Sequence, residues 1–302
     1  MIKSITVINP KGESLELDLF HPEKSGLIVK SITGLGPPKA NINSTDLATA
    51  DGALYSSARA STRNIVFNLQ FMFAPTIEDV RQKTYKYFPL KKEITIRVET
   101  DNRSLETKGY VESNAPDIFS REESAQISIL CLDPFFYDPY PSMTQFATVT
   151  PNFEFPWSNE SVDQNVIEFG IINLDTRSIL DYHGDVDTGV LITIHSLGKV
   201  TGPITVYNVE THESIKINLD RIKTLIGREY SNGDDIIIST VSGDKYVQVL
   251  HDGKYTNAIS AIEKLADWFQ ISVGKNIFNF TVKEGISNIA MVFSYRNAYG
   301  GI

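Results

Sequence analysis

The chain has 302 residues, 41% of them hydrophobic and 22% charged, with a formal net charge of -9 and one cysteine. That length exceeds one usual core, so two domains are expected, 1–140 and 141–302, and the ordinary balance of apolar and charged residues excludes a mostly disordered chain. The acidic balance argues against specific nucleic-acid binding, Cys131 has no partner for an intramolecular disulfide, and no apolar run nears the roughly 20 residues that span a bilayer.

Residues 2–8 and 15–19 alternate with period two around the turn Asn9-Pro10-Lys11-Gly12, which predicts a hairpin and not a signal peptide. A strand over 26–30 follows. The next stretch, Ser31-Ile32-Thr33-Gly34-Leu35-Gly36-Pro37-Pro38-Lys39-Ala40, is the least ordinary in the chain. Its glycines permit unusual backbone angles, and its prolines withdraw two consecutive N–H donors, so no central strand runs through it. Between 32 and 55 it carries Leu35, Ile42, Leu47, Ala48, Leu54 and Tyr55 without a clean period, more apolar material than a free loop of that length should hold. A partner surface accounts for it, and Leu35, Pro37, Pro38, Ile42, Leu47, Leu54 and Tyr55 are the candidate subunit interface.

A strong alternating strand follows over 63–71. Thr76 followed by Asp79 is an N-terminal capping arrangement, and Ile77, Val80, Thr84, Tyr87 and Phe88 recur at helical spacing until Pro89 ends the pattern. Strands over 93–100, 108–114 and 124–132 complete a sheet on which that helix can lie. Cys131 reads there as a buried structural thiol in a chain with no sign of oxidative maturation. Three prolines in Asp133-Pro134-Phe135-Phe136-Tyr137-Asp138-Pro139-Tyr140-Pro141 mark a boundary, and its aromatics are expected to pin the link against its neighbours.

From 166 onward short strands alternate with Gly and Asp turns, which predicts an antiparallel β-sandwich, with a minor helix placed at 259–265. No catalytic constellation survives weighing. The five histidines lack metal-ligand spacing, and His195 and His251 read as incidental surface or turn residues. Asp185 and Asp187 fit a tight turn better than a calcium loop, and Gly34-Leu35-Gly36 cannot open a phosphate-binding helix. No cofactor, metal or enzymatic activity is expected.

The order Ile32-Thr33-Gly34-Leu35-Gly36-Pro37-Pro38, then Asp51-Gly52, then a strand ending at Phe71, resembles the amino-terminal half of the distal tail proteins of phages with long, non-contractile tails. Tyr182-His183-Gly184-Asp185-Val186-Asp187-Thr188-Gly189, Tyr207-Asn208, Gly233-Asp234, Trp268-Phe269 and Gly274-Lys275-Asn276 extend the resemblance over nearly the whole chain, least over 142–164. It implies a mainly β protein, with an N-terminal β-rich ring (belt) domain bearing one α-helix and a C-terminal galectin-like or carbohydrate-module-like sandwich. It further implies a structural virion protein, a hexameric ring at the distal end of the tail tube. Its partners would be further copies of itself, the tail tube protein, a tail-associated tip protein and a receptor-binding protein, with assembly in the host cytoplasm. A carbohydrate-binding module protein, with Trp157, Trp268, Tyr246 and Tyr255 as a sugar platform although Trp268-Phe269, flanked by Leu265, Ala266 and Ile271, reads as core, is the alternative, and a glycan hydrolase the third reading.

Overall fold

A computed structural model describes residues 1–47, 51–73, 76–120, 122–151 and 170–302. It divides into two compact units, Met1–Tyr140 with Ala298–Ile302, and Pro141–Asn297.

The first unit contains β1 (Ile2–Ile8), β2 (Ser14–Asp18), β3 (Leu27–Thr33), β4 (Ala40–Asp46), β5 (Ala53–Ala60), β6 (Arg63–Phe71), α1 (Ile77–Tyr87), β7 (Glu93–Thr100), β8 (Ser104–Asp117), β9 (Ser124–Cys131) and the short β10 (Phe136–Tyr137). Its main sheet runs β2-β1-β7-β8-β9-β6-β3, with every described pairing antiparallel. The terminal strands β2 and β3 come back into contact, so the sheet curls around one core. Period-two alternation decides which residues line that core: Ile5, Val7, Ile65, Phe67, Leu69, Ile94, Ile96, Val98, Ile127 and Ile129 all lie inside it. Helix α1 starts where the Thr76 side chain accepts the Asp79 N–H, and Val80, Phe88 and Thr84 turn inward. Phe88 meets Phe67 with ring centroids 5.9 Å apart.

The second unit contains β11 (Ser142–Gln145), β12 (Ala147–Pro151), β13 (Gly170–Leu174), β14 (Arg177–Tyr182), β15 (Leu191–Ser196), β16 (Ile204–Asn208), β17 (Ser214–Ile217), α2 (Leu219–Ile226), β18 (Asp235–Ser239), β19 (Tyr246–His251), β20 (Lys254–Asn257), β21 (Gly274–Thr281) and β22 (Ile289–Tyr295). A six-stranded sheet, β11-β22-β15-β18-β19-β20, and a four-stranded sheet, β14-β21-β16-β17, enclose a core of Ile192, Ile194, Ile236, Val249, Phe278, Phe280 and Phe293. This is the expected antiparallel sandwich. Residues 166–169, read from sequence as part of a strand, lie outside the described residues.

The helix expected at 259–265 is absent from that place. Residues Ile259–Ala261 form one 3-10 turn, and the helix of this unit is α2. The Asn218 side chain accepts N–H groups from Asp220 and Arg221, Leu219 and Ile222 face the core, and Gly227 closes the helix at φ 79°.

The final strand, β23 (Ala298–Tyr299), pairs with β10, so the last residues belong to the first unit and not to the sandwich that precedes them in sequence. Of the boundary aromatics, Phe136 is fully buried and the Tyr137 hydroxyl donates to Asp133, whereas Tyr140 stays exposed.

Candidate functional site

Between β3 and β6 the chain leaves the main sheet and returns as a two-stranded ribbon, β4 and β5, in which every described residue is solvent-exposed. Its register pairs Ala40 with Ala60 and Ile42 with Ala58. A bulge opposite Asn43 then takes up Ser56, after which Ser44 faces Tyr55 and Asp46 faces Ala53. Directly paired residues share a face, so Ala40, Ile42, Ala53, Tyr55, Ala58 and Ala60 gather on one side, joined there by Ser44 and, at the tip end, Asp46. Asn41, Asn43, Thr45, Leu54, Ser57 and Arg59 occupy the other, where Asn43 donates to the Ser57 hydroxyl at 2.9 Å. Without the bulge Tyr55 would lie on the polar face. Ile42 is 66% exposed and Tyr55 69%. A lone two-stranded ribbon is marginal in water, and this one shows the solvent an apolar face that its own unit does not cover.

The root of this arm is held by Arg63. Its guanidinium donates to Gly34 O at 2.5 Å, Gly36 O at 2.6 Å, Pro134 O at 2.6 Å and Gly300 O at 2.5 Å, and it lies 4.5 Å from the centre of the Phe136 ring. The side chain is buried, and burial draws its pKa below the ordinary arginine value. Pro37 has no N–H to give, so the carbonyls around it look to a side-chain donor. Gly34 is fixed by space as well as angle: at φ 86°, a Cβ there would come 2.0 Å from Asn64 O.

The interface residues singled out by sequence thus fall into two sets. Ile42, Leu47, Leu54 and Tyr55 stand on the arm, with the Leu47 N–H donating to Gly52 O near its tip. Leu35 and Pro38 are half-buried at the root, Leu35 against the core of the first unit, and Pro37 is exposed beside them. Ala48 lies outside the described residues. Sequence reasoning missed Arg63 and the alanines of the apolar face. An arginine opening a strand carries no mark of carbonyl partners distant in sequence, but the alternation Ala58-x-Ala60 was available.

Among the described residues no group of three His, Cys, Asp or Glu side chains is placed to hold a metal, and no helix is long and apolar enough to cross a membrane. The Cys131 thiol is buried, and that burial pushes its pKa up to about 11. His251 is less incidental than expected, because its Nδ1 lies 2.7 Å from the carboxylate of buried Asp234, which also receives Arg228 and the Ser231 N–H. His195 pairs with Asp235 across the β15–β18 ladder. Of the proposed sugar platform, Trp268 is half-buried against the sandwich core beneath Lys245, while Tyr246 and Tyr255 share the outer face of β19 and β20. Trp157 lies outside the described residues.

No family model matches the chain, and no curated protein matches it in sequence. Among solved structures it is similar to the crystal structure of SPP1 Dit, described as a paradigm of the hub adsorption apparatus of phages that infect Gram-positive hosts. The TM-score is 0.65 at 12% identity, over 97% of this chain and 99% of that one. The chain has the Dit fold. It is also similar to chains of the phage P2 baseplate in its activated conformation, with Ca (TM-score 0.50, 11% identity, 98% of each chain) and with Sr (TM-score 0.50, 11% identity, 97% of each chain). Because the likeness to SPP1 Dit runs over nearly the full length of both chains, it takes in the helix-bearing β unit, its arm and the sandwich together.

Proposed function

We propose that this chain is a distal tail hub, a structural protein whose copies close into a hexameric ring at the end of a phage tail tube. The observation that carries the reading is the β4–β5 arm, whose apolar face needs a cover that its own unit does not supply. A ring of identical copies requires a heterologous contact, one patch of each copy against a different patch of the next, and a projecting ribbon supplies the first patch. The Dit fold, shared with hub and baseplate proteins, supports the same reading. In it the first unit joins the ring to the tail tube protein and a tail-associated tip protein, and the sandwich carries receptor-binding components. The protein belongs at the distal end of the virion tail, after assembly in the host cytoplasm.

The test is the mass of the full-length chain by light scattering across a concentration series. A six-copy particle is expected, reduced to monomer by Ile42→Asp or Ala58→Asp on the apolar face and unaffected by Asn43→Asp on the polar one. A monomer at every concentration up to the millimolar range, or equal effects from Ile42→Asp and Asn43→Asp, would sink the reading.

A further inference from the structure

Beside the arm root lies an open groove of about 570 Å³, with Ile2, Leu35 and Ile302 on its apolar side and Asn102 and Arg103 on its polar side. Its floor is tied down: Leu35 and Ile302 pack on the core, and the Ile302 N–H donates to Leu35 O at 3.1 Å. The exposed Arg103 guanidinium lies over the Tyr299 ring at 4.7 Å and donates to Gly301 O at 3.3 Å. No carboxylate pairs with it among the described residues.

The opposite end of the arm has the complementary character. Leu47 and Leu54 are 40% and 58% exposed, Leu54 on the face of Asn43, with Asp46 at the tip edge of the opposite face and Asp51 in the turn, neither of which has a cationic partner among the described residues. A chain does not seat this tip in its own groove, because seven paired residues of strand carry the tip about 23 Å from the root. We propose that the groove is the socket for the arm tip of a second copy, with Leu47 and Leu54 resting on Leu35, Ile2 and Ile302, and the tip carboxylates facing Arg103. The proposal rests on the arm being a copy-to-copy contact and adds where on the neighbour it lands. Apolar side chains anchor the contact, and the charges set its direction: an acidic tip suits a basic socket and rejects another acidic tip. Tip into socket is head-to-tail, the kind of contact that closes a ring.

The experiment uses the full-length chain carrying Asn102→Cys and Leu54→Cys, treated with a mild oxidant and run on a denaturing, non-reducing gel. Buried Cys131 does not compete. A reductant-sensitive ladder is expected, and it should not form from Leu54→Cys with Leu90→Cys, an exposed position of the first unit outside the groove. In parallel, Arg103→Glu should raise the concentration needed for assembly about tenfold, Asp46→Lys with Asp51→Lys should do the same, and the triple variant should recover it. No ladder from the 54/102 pair up to millimolar protein, an equal ladder from the control pair, or charge reversals without effect would each overturn the socket. If Ile42→Asp still dissolves the oligomer in that event, the arm contact stands and only its landing site is wrong; if Ile42→Asp also does nothing, the arm contact itself falls.

Discussion

Arg63 gathers chain segments that sequence keeps far apart. One guanidinium supplies donors to carbonyls of Gly34, Gly36, Pro134 and Gly300, so the arm root, the boundary stretch and the last residues of the chain meet at a single charged group. Charge-assisted bonds of this kind are stronger than neutral ones, and removing the donor takes a partner from four carbonyls at once, two of them half-buried. Arg63→Met removes the guanidinium that lies over Phe136 along with its four donations, and is expected to cost about 3 kcal/mol in urea unfolding of the first unit. Arg63→Lys should recover part of that, since a point charge cannot reach four carbonyls laid out for a planar fork. Amide exchange separates clamping from general stability. The Ser61 N–H, bonded to Lys39 O at 2.8 Å across the root, should exchange faster in Arg63→Met than the Ile127 N–H in the core.

Where an element's own side chains specify it, the element was legible in the sequence. Helix α1 announces itself through Thr76, Asp79 and an apolar stripe that runs until Pro89, and the β-strands announce themselves through alternation. The arm was legible only in part. Its glycines and prolines marked a departure from the sheet, but the bulge at Ser56 breaks the alternation, so the apolar face emerges only once the register is known. Helix α2 was missed because eight residues offer few apolar repeats, although Asn218 before it is a start signal and Gly227 after it a stop signal. The cap predicts a modest, local effect. Asn218→Ala should destabilise the sandwich by about 1 kcal/mol in chemical denaturation, with the loss confined to that unit. A change of several kcal/mol would mean that Asn218 holds more than the helix start.

At the scale of the molecule, the chain crosses between its two units twice, once after Tyr140 and again after Asn297. The second crossing was illegible, because a two-residue strand, Ala298-Tyr299, followed by two glycines has no period to read. Yet these last residues bring β23 to β10, Gly300 O to Arg63, Gly301 O and the Tyr299 ring to Arg103, and the Ile302 N–H to Leu35 O. All of those contacts lie in the first unit. Deleting residues 298–302 should therefore lower the stability of the first unit by roughly 2 to 4 kcal/mol, from lost hydrogen bonds and the apolar contacts of Tyr299 and Ile302. The sandwich should unfold at its original midpoint. Urea denaturation reads this directly if near-ultraviolet signals distinguish Trp268, in the sandwich, from the tyrosines of the first unit. A shift of the sandwich transition instead would assign the returning segment to the wrong unit. If the first unit weakens as expected, the arm should loosen with it, because the segment removed forms one side of both the Arg63 clamp and the groove beside the root.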